Sequence, residues 1–187
     1  MIVIDNFLPE FDELQRYARS AEFTDVVNDF DGVTYPLICA EIPGHLRDGV
    51  LRELAKLHPE LEAPVMFMRR SPKGIPCPHQ VHSDASMGTH SLMLYLNARE
   101  HCQGGTSFLS HSLSGIAYNP ADPLFVGVVV DDQNRPEAWN ICDVAEMRPN
   151  RAVIFPADRL HRAEPVGGFG DTPDNSRVVL TCFFKVP

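Results

Sequence analysis

A chain of 187 residues, 44% of them apolar, is long enough to close one domain around a sizeable core, which excludes disorder as its default state. Its net charge of −9 excludes the basic footprint of a nucleic-acid binder and attraction to an anionic membrane surface. The five cysteines (Cys39, Cys77, Cys102, Cys142, Cys182) are scattered without a Cys-x-x-Cys pair, which speaks against a disulfide framework or zinc ribbon and for reduced thiols in a cytoplasm.

Residues 1–5 have neither a basic start nor a long apolar run, and no segment reaches bilayer length, so neither leader nor span is expected. Residues 2–4 read as a short strand. A helix is predicted over 9–21, opened by Pro9 and carrying Phe11, Leu14, Ala18 and Ala21 on one face. Residues 29–36 read as a loop. A second helix is predicted over 45–57, with Leu46, Val50, Leu54 and Leu57 inward and His58-Pro59 as its stop. From about residue 64 the pattern changes to short β-branched and apolar runs between turn residues: 65–69, 89–97, 106–109, 124–130, 152–156 and 178–186. Segments 110–123 and 131–147 are polar and irregular, as lids or binding loops often are. The expectation is one domain over 1–187. Residues 1–63 supply a strand and supporting helices, and 64–187 supply a β core with an insertion at 110–147.

His82-Ser83-Asp84 carries the chemistry. In a strand, residues two apart point to one side, so His82 and Asp84 reach one ion while Ser83 turns away. His161, after a strand-like run and a turn, supplies a third ligand. Two histidines and one carboxylate on one face of an ion form the facial triad of non-haem Fe(II) oxygenases, although such donors also bind Mn, Ni, Cu or Zn. The tripeptide alone is weak, because eight histidines and many acids produce it by chance. His79 competes with His82, and His111 with His161.

Arg177, Val179, Thr181 and Phe183 share one face of the last strand. An arginine facing a β core is costly unless an anion meets it, and its planar fork suits a carboxylate. Thr181 and Tyr95 are placed to help hold that carboxylate.

The order His82-x-Asp84, Leu92-Met-Leu-Tyr-Leu-Asn97, Gly104-Gly-Thr-Ser-Phe108, Arg148-Pro-Asn-Arg-Ala-Val-Ile-Phe155, His161 and Arg177-x-x-x-Thr181 resembles the 2-oxoglutarate/Fe(II)-dependent dioxygenases, in their prolyl-hydroxylase-like branch. The resemblance covers roughly residues 64–185. It implies a mainly β protein with flanking helices and a double-stranded β-helix (jelly-roll) core. It also implies Fe(II) held by His82, Asp84 and His161, and 2-oxoglutarate held by Arg177 with Tyr95 and Thr181. The reaction implied is hydroxylation of an amino-acid, peptide or small-molecule substrate with O2, as 2-oxoglutarate is decarboxylated to succinate. Arg69, Arg70, Tyr118 and Trp139 are candidate substrate contacts. Asn150 stands where such enzymes often carry glycine, and asparagine tolerates the left-handed conformation.

The chain departs from the pattern in three places. Arg177 lies far beyond His161, with the 167–176 loop absorbing the extra length. The family's tyrosine upstream of the His-x-Asp motif is replaced near Arg69-Arg70. The 110–147 stretch is longer than a simple hydroxylase needs. Two other readings stand beside this one. A cupin-like metal- or acid-binding protein without catalysis does not need Arg177 with Thr181. A zinc hydrolase needs a general base near the ion, commonly a glutamate, and none is paired in motif with His82 or His161.

Overall fold

The computed structural model describes residues 1–28, 32–75 and 77–186, and of Pro64 the backbone only. In chain order it contains β1 (Ile2–Ile4), α1 (Phe11–Ser20), β2 (Thr24–Val27), β3 (Thr34–Cys39), α2 (Gly44–Ala55), β4 (Glu62–Ser71), β5 (His90–Tyr95), β6 (Gly105–His111), α3 (Pro123–Asp132), β7 (Trp139–Glu146), β8 (Ala152–Pro156), β9 (His161–Glu164) and β10 (Arg177–Lys185). Two antiparallel sheets face each other. The larger runs β1-β8-β5-β10-β4-β3-β2 and the smaller β7-β6-β9. A bridge between His82 and His161 adds the metal motif to the free edge of β9.

The period of two divides the large sheet. Val178, Leu180, Cys182 and Phe184 of β10 join Leu92 and Leu94 of β5 and Ala152 and Ile154 of β8 on one face. This face packs on Phe11, Leu14 and Ala18 of α1 and on Leu46, Val50 and Leu54 of α2. The opposite residues, Val179, Tyr95, Val153 and Phe155, turn inward onto Phe108 and Ala145 of the small sheet. Burying both faces of β5, β8 and β10 stabilises each apolar side chain by about 1.5–3 kcal/mol. The core follows the predicted helix faces, except that α2 stops at Ala55 and leaves Leu57 41% exposed.

Two expected elements differ. Residues 124–130 form part of α3, not a strand. Pro123 takes the first turn, where its missing N–H costs nothing, and the Asp122 side chain caps the helix by accepting from Leu124 N at 2.9 Å. The 131–147 stretch is not wholly irregular, because β7 pairs with β6 from Trp139 to Glu146. Of the loop expected at 29–36, residues 29–31 lie outside the described residues and the rest runs into β3. Strands β2 and β9 had no predicted counterpart.

Gly104 (φ +61°) and Gly105 (φ +147°) turn the chain into β6, and a Cβ on Gly105 would collide with the Ala145 carbonyl. Asn150 adopts the left-handed conformation (φ +54°) before β8. No described helix is long and apolar enough to cross a membrane.

Candidate metal centre and cosubstrate cavity

His82, Asp84 and His161 converge. One ligand atom from each lies within 4.8 Å of the others. His161 opens β9, and its backbone exchanges two hydrogen bonds with His82 (3.0 and 3.1 Å), so the two imidazoles stand side by side with centroids 4.4 Å apart. Asp84 is fixed through its own N–H to the Ala157 carbonyl, at 2.7 Å. His82 Nε2 lies 3.7 Å from Asp84 Oδ1, and His161 Nε2 lies 3.4 Å from Asp84 Oδ2.

The histidine tautomers follow from the neighbours. His82 Nδ1 faces the Gln80 carbonyl at 3.2 Å and His161 Nδ1 faces the Arg159 carbonyl at 2.9 Å. A carbonyl only accepts, so each Nδ1 carries the proton and each Nε2 keeps its lone pair for an ion. His161 Nε2 is buried and has no hydrogen-bond partner among the described residues, so its lone pair is available to an ion. Burial first, then the neighbouring His161, push the His82 pKa down to about 4, so its imidazole is neutral and ready to ligate. Ser91, inward on β5, donates to Asp84 Oδ2 at 2.7 Å and holds that carboxylate by its second oxygen.

The triad opens into a cavity of about 980 Å³, whose wall includes Arg177, Val179, Thr181, Phe183, Arg69 and Phe67. Arg177 is 2% exposed. Among the described residues its Nη2 reaches only the Gly105 carbonyl, at 3.4 Å, and its buried Nε has no partner. Burial pushes its pKa below the ordinary arginine value, with the nearby Tyr95 acting in the opposite direction. An orphaned buried guanidinium in the cavity that holds the triad fits the distal carboxylate of a dicarboxylic acid.

The other expected residues are distributed as follows. Thr181 lines the same cavity. Tyr95 is fully buried behind that wall, its phenol 2.8 Å from Thr106 Oγ1 and 3.1 Å from the Ala145 carbonyl. Arg70 borders the cavity, but its guanidinium turns to α1, donating to the Ala18 carbonyl at 3.0 Å and lying 4.1 Å over the Phe23 ring. Tyr118 pairs with Arg159. Trp139 is buried beside His111 and donates to the Asp132 carbonyl at 2.8 Å. His111 is held by Asp132 at 3.0 Å and Ser114 at 2.8 Å, and His79 by Gln133 at 2.9 Å. Ser91 had no place among the predicted residues, although its parity with Met93 and Tyr95 puts it on the inward face.

At the sequence level no family model and no curated protein matches the chain. Solved structures do. A truncated viral collagen prolyl hydroxylase from Paramecium Bursaria Chlorella virus-1 superposes with a TM-score of 0.58 at 13% identity, over 100% of this chain and 89% of its own. A prolyl hydroxylase from Trichoplax adhaerens, in complex with a hypoxia inducible factor peptide fragment, gives 0.59 at 13% identity, over 98% and 82%. EctD from S. alaskensis, with 2-oxoglutarate and 5-hydroxyectoine, gives 0.51 at 13%, over 99% and 71%. The chain therefore has the double-stranded β-helix fold that these structures share.

Proposed function

We propose that this chain is an Fe(II)- and 2-oxoglutarate-dependent oxygenase that hydroxylates an amino-acid, peptide or small-molecule substrate. The observation that carries the reading is one cavity holding both a His-Asp-His donor cluster and a buried guanidinium whose Nε has no partner. A structural neighbour of the same fold was solved with bound Fe, and again with 2-oxoglutarate, which supports the same pair of ligands here.

His82 and His161, through Nε2, and Asp84, through a carboxylate oxygen, would hold the Fe(II). Arg177 would receive the distal carboxylate of 2-oxoglutarate, with Thr181 further along the same face of β10, and so would set how far the keto acid reaches toward the triad. Iron and 2-oxoglutarate supply, with O2, the oxidising power that hydroxylates the substrate and releases succinate and CO2. The residues of the chain orient these partners and keep bulk water from the reacting atoms. No side chain needs to act as general acid or base.

The test is an anaerobic titration of Fe(II)-loaded protein with 2-oxoglutarate, followed by the visible metal-to-ligand charge-transfer band. A band in wild type that disappears in Asp84→Ala supports triad and cosubstrate together. Bound iron without a band would reassign the protein to a metal-binding jelly roll that does not use 2-oxoglutarate.

A further inference from the structure

Four arginines line the cavity wall: Arg69, Arg70, Arg162 and Arg177. Arg162 holds Glu164 Oε1 through both Nε (2.9 Å) and Nη2 (2.7 Å). Arg70 is tied to the α1 carbonyl and the Phe23 ring. Arg69 differs. It stands on the opposite side of β4 from Arg70, and its guanidinium has no hydrogen bond or ion pair among the described residues. Its Nε is buried without a partner, and the Tyr35 ring lies 6.0 Å away. The only carboxylate on the described wall is Asp84.

The charges decide what is missing. A divalent ion is balanced by Asp84 and the proximal carboxylate of 2-oxoglutarate. The distal carboxylate balances Arg177. Two wall arginines have no carboxylate among the described residues: Arg70 is tied to the Ala18 carbonyl and the Phe23 ring, whereas Arg69 faces the cavity beside Ile38, Phe67 and Phe183 with its buried Nε unpartnered. We infer that Arg69 is an anion subsite for the substrate, and that the substrate is a carboxylic acid with an apolar body. This rests on the oxygenase reading. The Tyr35 ring beneath the guanidinium leaves the in-plane N–H edge for a two-pronged grip on a carboxylate. The cavity volume sits at the upper end for small-molecule sites and leaves room for such a substrate beside 2-oxoglutarate.

The experiment is anaerobic calorimetry of protein loaded with Fe(II) and 2-oxoglutarate. The probes are the straight-chain acids from propanoate to octanoate, phenylacetate, and the primary amide of each. At least one acid should outbind its own amide by about 10-fold or more in wild type, the usual worth of a charge-assisted contact. Arg69→Gln should erase that preference and Arg69→Lys retain part of it. In the charge-transfer titration, Arg69→Gln should move 2-oxoglutarate affinity by less than about threefold, against a loss of about tenfold or more in Arg177→Gln. The inference is overturned if no acid outbinds its amide, if the preference survives Arg69→Gln, or if Arg69→Gln weakens 2-oxoglutarate as much as Arg177→Gln does. The same calorimetry on protein loaded with Fe(II) alone separates the two readings. An Arg69-dependent acid preference without a charge-transfer band removes the oxygenase reading and leaves the anion subsite.

Discussion

Ser91 sets the angle at which Asp84 meets an ion. Its hydroxyl occupies Oδ2 from a fully buried position, so Oδ1 is the oxygen that faces His82. Ser91→Ala should lower metal affinity by about 10–100-fold, the usual worth of such a supporting hydrogen bond. Competition against a chromogenic chelator reads this directly, and an unchanged affinity would remove Ser91 from the site. His82 gives a pH signature. Its folded pKa is pushed down to about 4 from an ordinary 6.5, so between those values the unfolded chain binds the extra proton. Metal-free protein should therefore lose stability as pH falls from 6.5 towards 4, by of order 1 kcal/mol for an imidazole whose side chain is 31% exposed. Urea midpoints should fall with pH more steeply in wild type than in His82→Gln. Parity made the triad legible, because His82 and Asp84 lie two apart on an extended segment. The same parity failed at Arg69 and Arg70. Val65, Met66, Phe67 and Met68 are all apolar because one face of β4 packs into the core and the other lines an apolar cavity wall, so no alternation marked which arginine faced the cavity.

Asn150 ties the N-terminal layer to the jelly roll. Its Oδ1 accepts from Leu8 N at 2.8 Å and its Nδ2 donates to the Leu8 carbonyl at 2.9 Å, just where β1 has paired with β8 and the chain turns into α1. Asn150→Gly loses both bonds but keeps the left-handed backbone, and should cost about 2 kcal/mol. Asn150→Ala also strains that backbone and should cost about 3 kcal/mol. Denaturant midpoints should rank wild type above glycine above alanine, and an alanine variant as stable as glycine would mean the conformation carries no strain. At this scale the sequence was readable where one signal dominated. Helices α1 and α2 carry apolar stripes, and β5, β8 and β10 carry apolar runs. It misled where two signals competed. Val126, Val128, Val129 and Val130 look like a strand, yet Asp122-Pro123 cap a helix, and the cap won. β9 was hidden because His161, Arg162 and Glu164 are polar residues serving the site, and β7 because Asn140, Cys142 and Asp143 face outward.

The whole molecule carries a net charge of −9 but buries one arginine, Arg177, with no carboxylate partner among the described residues. Folding the ligand-free chain therefore bears the cost of Arg177, an expense that only the distal carboxylate offsets. Two consequences follow together. Arg177→Met should be more stable than wild type without ligands, because it replaces an orphaned guanidinium with an apolar chain on the same face of β10 as Val179. With Mn(II) as a redox-silent substitute for Fe(II), 2-oxoglutarate at about 100 times its Kd should stabilise wild type by about 2.7 kcal/mol, or about 5–10 °C in Tm for a domain of this size. The same addition should raise Arg177→Met by no more than about half as much, about 1.4 kcal/mol for a tenfold weaker Kd, so the stability lead of the ligand-free variant should shrink or reverse on adding ligand. Removing the metal with chelator should abolish most of the wild-type gain, since the keto acid then loses its anchor at His82, Asp84 and His161. Thermal melts of both proteins, with and without Mn(II) and 2-oxoglutarate, test the whole scheme. An equal Tm gain in both proteins would show that the cosubstrate binds elsewhere. A ligand-free Arg177→Met that melts below wild type would show that the guanidinium supports the fold rather than waiting for an anion.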